Sequence, residues 1–149
     1  MDYLTREKAV EQILKEGLPE FFIEVINGKL EYPIDMYFTC SPLYFLNSVE
    51  QNAYQLGDVI PLWASFSGDI NYAFDIKEKD FILFYLDDGK IECRYSWEQL
   101  IRVVIKTTME TEYETFPEDL NADLKIIKIF SSLKIVNIKE IIRQIKEVW

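Results

Sequence analysis

Carboxylates are the most plentiful chemistry-bearing side chains in this chain, with 26 Asp and Glu against 16 Lys and Arg and no histidine. The missing histidine removes Ser-His-Asp and Cys-His nucleophilic mechanisms, the imidazole general base and almost every catalytic zinc site. Carboxylate chemistry stays open, either as oxygen-ligated magnesium or calcium sites or as paired acid and base groups. Asp69 with Asp75 is the pair to weigh for a divalent cation, but no recognised ligand loop surrounds it. The expectation is therefore a protein that binds rather than catalyses, with no metal and no cofactor.

The candidate binding residues fall into two groups. Asp69, Asp75, Glu78, Asp80, Asp87, Asp88 and Glu92 belong to one succession of short strands and tight turns. Hairpin ends lie close in space, so these carboxylates could form a patch that mimics phosphate for a basic partner. They are equally what polar turns contain, Asp87-Asp88-Gly89-Lys90 being a turn sequence in any protein. The second group is the densest acidic run, Glu110, Glu112, Glu114, Glu118, Asp119 and Asp123, with Tyr113 and Phe116 inside it. Exposed aromatics among acids make interface anchors, so Glu112, Tyr113, Glu114 and Phe116 join the partner-binding candidates. The other reading is a solvated loop leading into a helix. Residues 125–149 carry six basic and two acidic side chains, so the acidic run can also neutralise the helices that follow it.

A net charge of −10 disfavours direct contact with DNA or RNA, which needs a basic surface to displace counterions from phosphate. It suits a basic protein partner, whose approach the charge would steer; plain solubility explains it as well. No stretch approaches the roughly 18 apolar residues of a membrane span, and the opening residues lack the basic and apolar regions of a secretory signal. Cys40 and Cys93 lie far apart in strand-like stretches and read as buried free thiols of a reducing compartment rather than a disulfide. The expected location is the cytoplasm.

The elements that must position these groups follow from periodicity and punctuation. The chain has 149 residues, 49% of them hydrophobic, so one domain over 1–149 with one core is expected. Thr5 caps a helix to about Glu16, with Val10, Ile13 and Leu14 inward, and Gly17 ends it. Pro19 opens a shorter helix that buries Phe22, Ile23, Val25 and Ile26 and stops at Asn27-Gly28. Alternation over 33–40 predicts a half-buried strand, and 43–46 a further extended piece. Asn47 or Ser48 caps a brief helix. Strands are then expected at 59–66, where Pro61 indicates an edge or a bulge, and at 70–76, 81–86 and 91–95. Ser96 to Gln99 fits a capping box opening a helix that buries Leu100, Ile101, Val104, Ile105 and Met109. Phe116-Pro117 marks a break, with 112–117 the best candidate for a linker. A helix over 119–133 turns Leu124, Ile127 and Phe130 or Ser131 inward, and Asn137 caps a last one. Trp63 and Trp97 are expected in the core. The order describes an α+β fold, a twisted antiparallel meander flanked by helices with a C-terminal helical extension.

Three places carry a resemblance. Gly17-Leu18-Pro19-Glu20-Phe21-Phe22 followed by Val25-Ile26-Asn27-Gly28 is similar to the opening of the SUKH superfamily, which includes yeast cell-wall-assembly regulators and many bacterial immunity proteins. Asp58-Val59-Ile60-Pro61-Leu62-Trp63-Ala64, with Ser67-Gly68-Asp69 and Tyr72-Ala73-Phe74-Asp75, resembles that family's central strand pair. Tyr95-Ser96-Trp97-Glu98-Gln99-Leu100 looks like its lead-in to a helix. Order and spacing agree over about residues 10–110; Lys29 and Trp63 depart from the pattern, and the chain from about Phe116 onward matches none of it. The resemblance implies an immunity protein that binds and neutralises a cognate polymorphic or contact-dependent toxin, commonly a basic nuclease. The alternative it implies is a non-enzymatic regulatory or scaffold module. A carboxylate- or metal-dependent hydrolase is the third reading, and needs two close carboxylates in a concave pocket.

Overall fold

The computed structural model describes residues 3–149. The protein is α+β, with a four-stranded antiparallel sheet and six α-helices among the described residues. It divides into two compact units, Met1–Ser96 and Trp97–Trp149, meeting where a strand passes into a helix without an intervening linker. No described helix is long and apolar enough to cross a membrane.

The first unit opens with α1 (Arg6–Glu16) and α2 (Phe21–Ile26). Thr5 Oγ1 accepts from Lys8 N at the start of α1, and Gly17 takes the left-handed conformation at its end. The inward side of α1 is Ala9 and Ile13, while Leu14 is 58% exposed, so the stripe sits about one residue earlier than the apolar spacing suggests. Helix α2 buries Phe21, Phe22, Val25 and Ile26 and leaves Ile23 half-buried.

The expected strand at 33–40 does not form. Ile34–Met36 is a 3-10 turn, closed by Met36 N to Pro33 O and Tyr37 N to Ile34 O, and only Thr39 reaches the sheet, as an isolated bridge to Ala64. A few alternating residues are weak grounds when local i→i+3 bonds satisfy the same backbone groups. The extended piece expected at 43–46 is a second 3-10 turn, Pro42–Phe45, where Ser41 Oγ accepts from Leu43 N and Pro42 stands in the first turn. Helix α3 (Ser48–Ala53) follows, with a complete capping box between Asn47 and Glu50.

Strands β1 (Val59–Ala64), β2 (Ile70–Asp75), β3 (Asp80–Tyr85) and β4 (Ile91–Tyr95) pair in sequence order. Pro61 lies on the edge strand β1, beside a register shift between Pro61 and Trp63, as its missing N–H requires. One face of the sheet buries Val59, Ala73, Ile82 and Phe84 against Leu43 and Leu56. Elsewhere in this unit Phe22 stacks on Trp63 at 5.5 Å and Trp63 on Tyr72 at 4.4 Å, with Phe38 tilted against Trp63 at 5.3 Å. Trp63 is a core residue, as expected; Trp97 is only half-buried.

The second unit consists of α4 (Trp97–Thr115), α5 (Ala122–Phe130), a 3-10 turn (Ser131–Leu133) and α6 (Ile138–Glu147). Helix α4 buries Leu100, Ile101, Val104, Ile105 and Met109 as its spacing predicts, and continues through the segment proposed as a linker to Thr115. The break falls at Phe116-Pro117. Helix α5 turns Ala122, Ile126, Ile129 and Phe130 inward and leaves Leu124 64% exposed, which corrects the phase read from Leu124 and Ile127. Helix α6 buries Ile141, Ile142 and Ile145.

Candidate functional site

The meander does not gather its carboxylates into one patch. Alternate turns of a meander lie at opposite ends of the sheet. Asp69, Asp87 and Asp88 therefore share one end, where Leu86 N donates to Asp69 O, and Asp75, Glu78 and Asp80 share the other. The length of β2 separates Asp69 from Asp75 by about 20 Å at 3.3 Å per residue, so the two cannot hold one cation. No group of three or more metal-ligating side chains among the described residues is placed to hold a metal ion.

At the β2–β3 end the acids are answered internally. Asp75 is buried; its Oδ1 accepts from Lys77 N and Glu78 N, and its Oδ2 lies 3.1 Å from Arg94 Nη1. The same nitrogen lies 2.9 Å from Asp80 Oδ1. Hydrogen bonding to Asp75 raises the Arg94 pKa above its ordinary value, burial opposes that rise, and hydrogen bonding to Asp80 adds to it. Lys79 pairs with Glu16 of α1 at 2.7 Å. Glu78 is exposed.

The opposite end is built differently. Residues 41–54 lie across it and are tied to both turns. Ser41 Oγ donates to Asn71 Oδ1 at 2.7 Å while Asn71 Nδ2 donates to Gly68 O at 2.9 Å, both side chains fully buried. The buried Tyr44 hydroxyl donates to Pro61 O. Tyr54 O–H donates to Leu86 O at 2.9 Å, and its ring lies so close to Gly89 that a Cβ there would stand 2.3 Å from Cδ1. Gln51, also buried, donates to Leu43 O and Leu4 O and accepts from Leu4 N, anchoring α3 to the start of the chain.

Between α3 and the β3–β4 turn this packing leaves an open depression of about 380 Å³, lined by Leu46, Glu50, Ala53, Tyr54, Asp87 and Asp88. Three of its lining residues are carboxylates and none is basic. The Tyr54 phenol is pushed up from its ordinary pKa first by burial, then by the negative charges of Glu50 and Asp87. Phe45 and Val49, on the same segment, are 69% and 77% exposed, and Phe66 on the β1–β2 turn is 75% exposed. Asp69 is exposed beside that turn, and Glu92 is exposed on β4. Leu46, Glu50, Ala53 and Tyr54 were not among the sequence candidates. The Asn47–Glu50 capping box reveals α3, but nothing local says which turn α3 will face.

A larger groove of about 530 Å³ runs between α1 and β1, with Lys8 and Lys15 set among Glu11, Glu16 and Asp58. Its mixed charge favours no ligand of one sign. Cys40 and Cys93 are free and half-buried; burial pushes the Cys40 thiol pKa up, with the Arg6 charge opposing, so it is a poor nucleophile.

In the second unit part of the acidic run is paired by its own helices, Glu110 with Lys106, Glu112 with Lys125 and Asp123 with Lys146. Glu112 is buried and lies 2.9 Å from Lys125 Nζ, so it faces inward and not toward a partner. Tyr113 donates to Asp123 Oδ1, its ring meets Trp149 edge-on at 5.3 Å, and Lys146 Nζ lies 2.5 Å from Asp123 Oδ2. Phe116 is 45% exposed under Lys125, whose Nζ stands 4.5 Å from the ring centroid. Glu114, Glu118 and Asp119 are exposed, and among the described residues no cation lies within ion-pair distance of them.

Searches against family models, curated proteins and solved structures find no match for this chain.

Proposed function

We propose that this chain is a SUKH-like immunity protein, which neutralises a cognate toxin by binding and covering a basic, nuclease-type domain in the cytoplasm and performs no turnover of its own. The observation that carries the reading is where the charge sits. Met1–Ser96 has 17 acidic and 8 basic side chains, net −9; Trp97–Trp149 has 9 and 8, net −1. An excess so concentrated on one unit exceeds what solubility asks of a chain this size. It is the complement of a surface evolved to bind phosphates, and it would speed association by steering. The motifs behind the family resemblance support the reading too: Leu18-Pro19 leads into α2, Ile60-Pro61 lies on β1, and Ser96-Trp97 opens α4.

The test is co-expression with the product of the neighbouring gene. The expected result is a stoichiometric complex that survives purification at low salt, weakens as salt rises, and restores growth to cells making the toxin. A neighbouring product that neither binds nor harms cells overturns the reading. Several weak partners without a toxin among them would favour the regulatory module instead.

A further inference from the structure

The depression between α3 and the β3–β4 turn combines three features. It is concave, its lining includes the apolar Leu46, Ala53 and the Tyr54 ring, and its charged lining residues, Glu50, Asp87 and Asp88, are all acidic. Among the described residues no cation lies within ion-pair distance of these carboxylates, in contrast to Asp75, Asp80 and Glu112. Glu50 Oε1 accepts from Asn47 N and Asp88 Oδ1 from Lys90 N, so a backbone amide holds one oxygen of each of these two carboxylates. Arg6 stands over the Phe45 ring at 5.6 Å, and Lys90 is exposed at the end of the turn.

We propose that this depression is a socket for an arginine side chain projecting from the basic surface of the bound protein, an inference that rests on the toxin-binding reading and adds to it the place and the chemistry of contact. Arginine fits each part of the lining. Its methylene stem can cover Leu46 and Ala53, its planar guanidinium can stack on the Tyr54 ring, and its N–H groups can reach carboxylate oxygens of Glu50, Asp87 or Asp88. An inorganic cation would satisfy the carboxylates and waste the apolar lining; an apolar side chain would do the reverse. Phe45 and Val49, exposed on the same segment, supply the apolar contact that surrounds such an anchor and excludes water from it. The socket is preformed, because Tyr54 is locked by its bond to Leu86 O and by contact with Gly89.

The test uses the full chain and a probe, the blocked tripeptide acetyl-Gly-Arg-Gly-amide, followed by amide chemical shifts, with the citrulline analogue as the uncharged isostere. Saturable shifts are expected at Ala53, Tyr54, Asp87, Asp88 and Gly89, with binding of the citrulline peptide about fivefold weaker or more. The double variant Asp87→Asn, Asp88→Asn keeps the oxygen that accepts from Lys90 N and should fold; it should weaken the arginine peptide about tenfold. Glu78→Gln, at the other end of the sheet, should change nothing. Shifts spread evenly over acidic residues, or equal affinity in the double variant, overturn the socket. The two readings separate cleanly. A neighbouring gene product that binds the double variant as tightly as the parent chain removes the socket and keeps the toxin reading. A peptide that binds as expected, with no toxin that does, keeps the socket as an arginine site and removes the toxin reading.

Discussion

Asp75 and Asp80 stand directly opposite one another across β2 and β3. Like charges so placed repel, and the sheet answers them with one side chain from β4: Arg94 lies diagonally opposite Asp80, its register partner being Ile82, and bridges both carboxylates. Asp75 does double duty, since its other oxygen holds the amides of the β2–β3 turn.

Replacing that guanidinium should expose the repulsion. Arg94→Met is expected to lower stability by about 1–2 kcal/mol, a figure held down by the half-exposed position of Arg94. The urea midpoint reads it. Adding Asp80→Asn should recover part of the loss, and a double variant less stable than Arg94→Met would contradict the account.

Gly89 is the tightest point of the sheet end that carries the socket. It has φ +65°, and a Cβ would enter the Tyr54 ring. Gly89→Ala should cost about 1–3 kcal/mol from the two effects together. Combined with Tyr54→Ala, which vacates the space, the alanine should cost only its backbone share; thermal unfolding of the four chains measures the coupling.

Two ion pairs in the second unit should behave oppositely. Lys125→Met leaves the buried Glu112 carboxylate without its cation and should cost about 2–3 kcal/mol. Lys146→Met breaks the exposed pair with Asp123 and should cost less than about 1 kcal/mol. Equal losses in denaturant unfolding would refute the distinction.

The aromatic stack makes stability fall at high pH. Burial first, and then the neighbouring Tyr85 and Cys93, push the Tyr72 phenol up to about 12. Its folded value lies above the ordinary value of about 10, so the neutral phenol is favoured in the folded chain and its contribution is complete below about pH 10. That contribution is lost as pH rises from about 10 to about 12. Tyr44, buried against Pro61 and also raised by burial, acts in the same direction. Denaturant midpoints measured across this range should decline, and Tyr72→Phe should decline less.

How much of this was legible in the chain follows the range of the forces involved. Thr5, Gly17, Asn47 and Pro61 act on neighbours within a few residues, and each marked its element correctly. The meander was equally readable, because turn residues separated by short apolar stretches permit little but hairpins. The segment 33–46 forms no strand, because local i→i+3 bonds close a 3-10 turn at Ile34–Met36 and Ser41 with Pro42 starts another at Pro42–Phe45.

The α+β class, the helix stops at Gly17 and Asn27-Gly28 and the surplus of carboxylates are written in local chemistry and stand unchanged in the structure. Which carboxylates remain available is a matter of long-range pairing. Lys125 answers Glu112, Arg94 answers Asp75 and Asp80, and α3 folds back 32 residues from Tyr54 to Leu86 to shape the depression beside Asp87 and Asp88. Composition counts charges without regard to partners, and partners so distant in sequence meet only when the core that joins them has formed.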